Sequence, residues 1–196
     1  MEWIILDDGE DCVKDVFASV PNVRYIYEED KLLIGAKRNR LNKEAKGDIL
    51  IAMDDDDYYC PTRVSHVVEM FAKHPHIEVA GCSKVYLYYT DIRKIYTFGP
   101  YAKNHATNGT MAWRKSYANT HTYDERIAFA EEKSFLNNYT TPLLQLDPLH
   151  VMLVISHSDN TFNKLKMRDS PLATHTTLPL SHFISTPSLR LFYETA

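Results

Sequence analysis

Apolar and polar positions along this chain fall into blocks whose period changes from two to three-and-a-half and back. Glu2-Trp-Ile-Ile-Leu6 is a short apolar run closed by the turn residues Asp7-Asp8-Gly9, and it reads as a strand. Val13, Val16, Phe17 and Val20 recur at helical spacing up to Pro21-Asn22, after which Val23-Arg-Tyr-Ile-Tyr27 returns as a strand. Leu33 to Ala45 reads as a helix with a basic Lys37-Arg38-Asn39-Arg40 face, ended by Gly47. Ile49-Leu-Ile-Ala-Met53 is an unbroken apolar run, expected to be a strand buried on both faces. Pro61 to Lys73 places Val64, Val67, Val68 and Phe71 on one helical face. Strands and helices that alternate over such short links predict an α/β fold with a mostly parallel sheet flanked by helices, its ligand site outside the C-terminal strand ends.

The second half changes character. Ile77 to Cys82 reads as a strand, and residues 84–90 and 94–98 alternate around Thr90-Asp-Ile-Arg93 as a smaller antiparallel hairpin. Asn108-Gly109-Thr110 precedes a strand at 111–114, and Gly109 marks a backbone that something approaches closely. A helix begins near Glu131-Glu132 with Phe135, Leu136 and Tyr139 as its apolar face. Residues 143–146 and 151–155 are two further apolar segments, and His157-Ser-Asp-Asn-Thr161 leaves the second. From Lys164 the pattern turns polar, with Pro171, Pro179 and Pro187, so the reading is one domain over 1–163 and a C-terminal extension, 164–196, packed on its surface.

Chemistry concentrates at Asp54-Asp-Asp-Asp57, where the Ile49 strand would leave the sheet. Like charges this close repel by about 1 kcal/mol per pair even in water, so a partner must offset them. On a strand Asp54 and Asp56 point one way and Asp55 and Asp57 the other, which aims a D-x-D pair at one ligand. Hard oxygen donors suit Mg²⁺ or Mn²⁺ carrying a phosphorylated substrate. The plainer reading is that aspartates before a helix meet the positive end of its dipole, which is how Asp57 is read; Asp55 has no assigned role.

Composition narrows the classes. The 196 residues suffice for a real core, and a net charge of -4 with no Lys/Arg-rich run argues against a nucleic-acid surface. Cys12, Cys60 and Cys82, odd in number and without C-x-x-C spacing, fit free thiols in a reducing, cytoplasmic compartment. No stretch of about 18 apolar residues spans a membrane in this chain; association through other segments stays open.

Taken together, these pieces resemble the GT-A fold, nucleotide-sugar-dependent glycosyltransferases of family 2 type, over about residues 2–162. Trp3-Ile-Ile-Leu-Asp-Asp-Gly9 resembles the family's strand ending in D-D-G-S, and Lys37-Arg38-Asn39 with Ala45-Lys-Gly-Asp-Ile49 its R-N helix and A-x-G-[DE] turn. Asp54-x-Asp56-Asp57 with Pro61 is similar to its D-x-D-D-x-x-x-P, and Asn108-Gly109-Thr110, Tyr123-Asp-Glu125 and Glu131-Glu132 follow in family order. The resemblance implies that Asp56 binds the metal, with Asp54 at the ribose or the metal's outer shell, and that Asp8 or Asp7 contacts the base. It places Arg38 and Lys37 near the nucleotide, although both also fit a solvated helix face. Glu132 matches the general base of inverting members, with Glu131 the close alternative, and His157 is a candidate ligand to metal or diphosphate. Implied partners are a nucleotide-sugar donor, a UDP-sugar by expectation, and a carbohydrate or protein-glycan acceptor. The family begins one strand and one helix before its D-D-G strand. An N-terminal segment, another chain or domain, or a degenerate relative lacking that strand would each account for this. A non-catalytic nucleotide-sugar binder and a sugar nucleotidyltransferase are the alternatives; the latter carries a Gly-rich phosphate loop that is not found here.

Overall fold

The computed structural model describes residues 1–157, 160 and 164–195. In chain order the strands are β1 (Trp3–Asp7), β2 (Val23–Tyr27), β3 (Ile49–Ile51), β4 (Tyr58–Tyr59), β5 (Val79–Gly81), β6 (Val85–Tyr89), β7 (Lys94–Phe98), β8 (Ala112–Arg114), β9 (Leu143–Gln145), β10 (Met152–Ser156) and β11 (Ala173–His175). The helices are α1 (Ile34–Glu44), α2 (Arg63–Lys73), α3 (Lys115–Ala118), α4 (Glu132–Phe135) and α5 (Pro187–Thr195). Two compact units form, one from residues 1–50 with 113–141, the other from 51–112 with 142–196.

In the first unit β1 and β2 pair in parallel from Trp3↔Val23 to Asp7↔Tyr27. The helix expected at 13–20 is a single 3-10 turn, Lys14–Phe17. Its valines find nothing to bury against: Val13, Val16 and Val20 stay exposed, and Phe17 alone of the four meets aromatic rings, those of Trp3 and Tyr25. Such β-branched residues hold a helix only when packing supports it. Tyr123 stacks on Phe135 at 4.2 Å between ring centres, and Trp113 and Tyr117 meet Phe135 edge-on at 5.0 and 5.1 Å. This aromatic core anchors α4. The helix is shorter than its pattern predicts, because Asn137, Asn138 and Tyr139 all adopt left-handed backbone and end it.

The second unit holds a five-stranded sheet in the order β11-β7-β6-β10-β4, and a parallel β5–β9 pair. Strands β6 and β10 are parallel, while β6–β7 is the expected hairpin, antiparallel from Val85↔Phe98 to Tyr89↔Lys94. Helix α2 buries Val67 and Phe71, yet Val68, expected on the same face, is exposed. Residues beyond 164 do more than cover a surface. Strand β11 extends the sheet at β7, and Leu180, Phe183 and Ile184 join Tyr86, Tyr88, Ile95 and Leu153 in the core.

Candidate active site

The first unit sets two carboxylate groups by means of α1. Asp8, buried, receives Lys37 Nζ at 2.5 Å and Lys31 Nζ at 3.3 Å on Oδ1, and the Leu32 amide donates to Oδ2 at 2.9 Å. Burial pushes this carboxyl up, but Lys37, the Leu32 amide and Lys31 outweigh it and hold the group below the usual aspartate range. Asp7 accepts from the Tyr25 hydroxyl and from the Gly9 and Val13 amides, which lower its pKa in that order. The pair therefore organises the loop after β1 as well as presenting charge.

Two residues further along α1, Asn39 clamps the loop after α3. Its Nδ2 donates to Tyr123 O at 2.9 Å and its Oδ1 accepts from Tyr123 N at 2.9 Å. Gly35 lets the Asp124 carbonyl come in where any Cβ would collide. The clamp brings Arg38 onto Glu131, Nε to Oε1 at 2.8 Å, with both side chains about nine-tenths buried. Glu132 turns instead towards the Tyr139 hydroxyl at 3.5 Å. Burial raises the Glu132 carboxyl, Glu131 raises it further, and Arg38 only partly opposes them. One glutamate is thus neutralised and its neighbour is tuned upwards.

The second unit carries the acidic turn. Strand β3 stops at Ile51, so Asp55 and Asp56 lie in a turn and strand alternation does not govern them. Asp54 and Asp56 accordingly meet different partners. The Asp54 amide donates to Tyr59 Oη at 2.7 Å, and a Cβ on Gly109 would come within 2.7 Å of Asp54 Oδ2 and 3.0 Å of that hydroxyl. Gly109 thus answers the close approach expected of it; Asn108 beside it is buried. Asp56 Oδ2 accepts from Asn160 Nδ2 at 2.9 Å, with His157 Nε2 at 3.8 Å and Lys164 Nζ at 3.5 Å. Asn160 also reaches His157 Nε2 at 2.7 Å. Asp57 does not cap α2. Its Oδ1 accepts from the Ile155 amide of β10 at 2.8 Å, with Lys164 at 3.7 Å, and burial pushes it up to about 7 against the pull of that lysine. Asp55 is exposed.

The implied divalent cation can be tested against these donors. Asp56 Oδ2 and His157 Nε2 stand 3.8 Å apart, and Asn160 Nδ2 reaches both, at 2.9 and 2.7 Å. Among the described residues no three of His, Cys, Asp and Glu converge as a metal site, and Asp159, beside His157, lies outside those residues. By donor type alone, a carboxylate and an imidazole are groups that Mn²⁺ or Mg²⁺ accepts beside water and phosphate oxygens.

The α/β chain with its antiparallel hairpin has the GT-A class of fold. Two crystal structures of S. aureus TarS share it. The 1–349 form has a TM-score of 0.60 at 17% identity, with 79% of this chain and 51% of that one covered, and the other has 0.55 at 14%, covering 79% and 31%. Within that class the chain belongs to glycosyl transferase family 2, whose family profile matches residues 1–137. A comparison with curated proteins finds no match. The chain spans about half the length of the TarS 1–349 structure.

Sequence reasoning missed Lys31 on Asp8, Tyr59 under Asp54, Tyr139 beside Glu132, and Asn160 and Lys164 on Asp56. Tyr139 reads only as part of a helix's apolar face, and the other four sit in no periodic pattern. Lys164 opens the segment that reads as a polar extension, and only the fold returns it to the acidic turn. Among the described residues no helix is long and apolar enough to cross a membrane, and Cys12, Cys60 and Cys82 are free.

Proposed function

We propose that this chain transfers a sugar from a nucleotide diphosphate sugar, a UDP-sugar foremost, to a hydroxyl of a carbohydrate or protein-glycan acceptor with inversion. The observation that carries the reading is the division of the glutamate pair: Glu131 is held by Arg38, while burial leaves Glu132 with the raised basicity a general base requires. Glu132 takes the acceptor hydroxyl proton as that oxygen forms a bond to the anomeric carbon. The bond from that carbon to the diphosphate oxygen breaks, and the nucleoside diphosphate leaves with the electron pair. Asp56 and His157 hold Mn²⁺ or Mg²⁺, with Asp54 on the ribose side or in the outer shell. When bound, the metal neutralises charge developing on the diphosphate. Asp7 and Asp8 serve the base, Lys37 and Arg38 the nucleotide, and Asn108 and Gly109 bind at the acceptor-side glycine turn.

The test is incubation with a panel of UDP-, GDP-, ADP- and dTDP-sugars and MnCl₂. Release of nucleoside diphosphate supports the reading. Pyrophosphate exchange would instead mark a nucleotidyltransferase, and neither reaction a binding relative.

A further inference from the structure

Arg63, the first residue of α2, is the largest fully buried side chain of the described residues, 1% exposed. Burial pulls its pKa down to about 10. Nη2 donates to Met111 O at 2.8 Å and to Ala52 O at 3.4 Å. Nε and Nη1 find no hydrogen-bond partner among the described residues. A guanidinium kept in a core with donors left over adds little stability that an apolar side chain of like volume would not often supply.

The two carbonyls explain the placement. Ala52 stands two residues before Asp54, Met111 two residues after Gly109, and Met111 O also accepts the Ala52 amide at 3.1 Å. Just beyond them the Asp54 amide rests on Tyr59 Oη, and Gly109 lies against both Asp54 Oδ2 and that hydroxyl. Arg63 braces from within the two segments that carry the acidic turn and the glycine turn. We infer that Arg63 is a positioning residue that fixes the Asp54–Asp57 turn against the Gly109 turn; its consequence for catalysis rests on the transfer reading above.

The test uses Arg63→Met and Arg63→Lys in the full chain, with thermal unfolding, amide hydrogen exchange, and UDP binding with and without MnCl₂. Methionine fills the volume without the donors, so Arg63→Met is expected to unfold within a few degrees of wild type. Exchange at the Ala52 and Asp54 amides is expected to accelerate about tenfold or more, with β6 amides unchanged. Mn²⁺-dependent UDP affinity falls by about tenfold or more, and Arg63→Lys, which keeps a charged donor, recovers part of both losses. Should methionine prevent folding, the lysine variant gives the reading through partial acceleration at the same two amides. Wild-type exchange at Ala52 and Asp54 in a folded variant overturns the inference. So does acceleration spread evenly over the chain with a matching fall in unfolding temperature, which marks a structural role only. Local acceleration in a protein whose wild type shows no Mn²⁺-dependent UDP binding leaves the positioning role standing and removes the transfer reading instead.

Discussion

Glu131 and Glu132 are adjacent in the chain and different in chemistry, and the difference comes from residues far away in sequence. Arg38 on α1 reaches Glu131 only because Asn39 and Gly35 dock that helix on the 123–125 loop. The raised Glu132 carboxyl ionises above the ordinary glutamate value of about 4.3. A base must be deprotonated, so kcat/KM should fall as pH drops through that raised pKa. In Glu131→Gln the neighbouring negative charge is gone. That loss favours the Glu132 carboxylate, so the acidic limb of a pH–rate profile moves to lower pH; a limb that moves up or stays contradicts the assignment. Glu132→Gln is expected to retain donor binding and lose transfer, and an active variant moves the base elsewhere. Breaking the buried pair by Arg38→Gln leaves Glu131 uncompensated and should cost about 3 kcal/mol in urea unfolding. Gly109→Ala pushes a methyl against Asp54 Oδ2, and Mn²⁺-dependent nucleotide binding is expected to weaken with little change in global stability.

Elements with a clear period were legible, and those that depend on partners were not. The β6–β7 hairpin and helices α1 and α2 fall where alternation, Gly47 and Pro61 place them. The 13–20 segment has helical spacing yet no surface to bury it, so one 3-10 turn remains. The acidic turn was visible by composition, but its geometry was not, since β3 ends at Ile51 and each aspartate then follows its own long-range contact. The residues after 164 illustrate the same limit. Their prolines and polar character read as a covering strap, while β11 and the Leu180–Ile184 turn are built into sheet and core. Ile184, fully buried, tests this directly: Ile184→Ala should cost about 2–5 kcal/mol, against about 0.5 kcal/mol or less for a residue resting on the surface.

At the scale of the molecule, the family profile runs over residues 1–137 and so through both compact units, while the fold shared with TarS reaches 79% of the chain. The first unit carries Glu132 with its raised carboxyl pKa, and the second carries the acidic turn with Asp56 and His157. The account depends most on that turn holding a divalent cation and, through it, a nucleoside diphosphate. Calorimetric titration of UDP into wild type and Asp56→Ala, each with MnCl₂ and with EDTA, measures this directly. Binding by wild type is expected to require Mn²⁺ and to be lost in Asp56→Ala; equal binding by the two proteins, or binding indifferent to Mn²⁺, would rule out a metal-held nucleotide at the acidic turn.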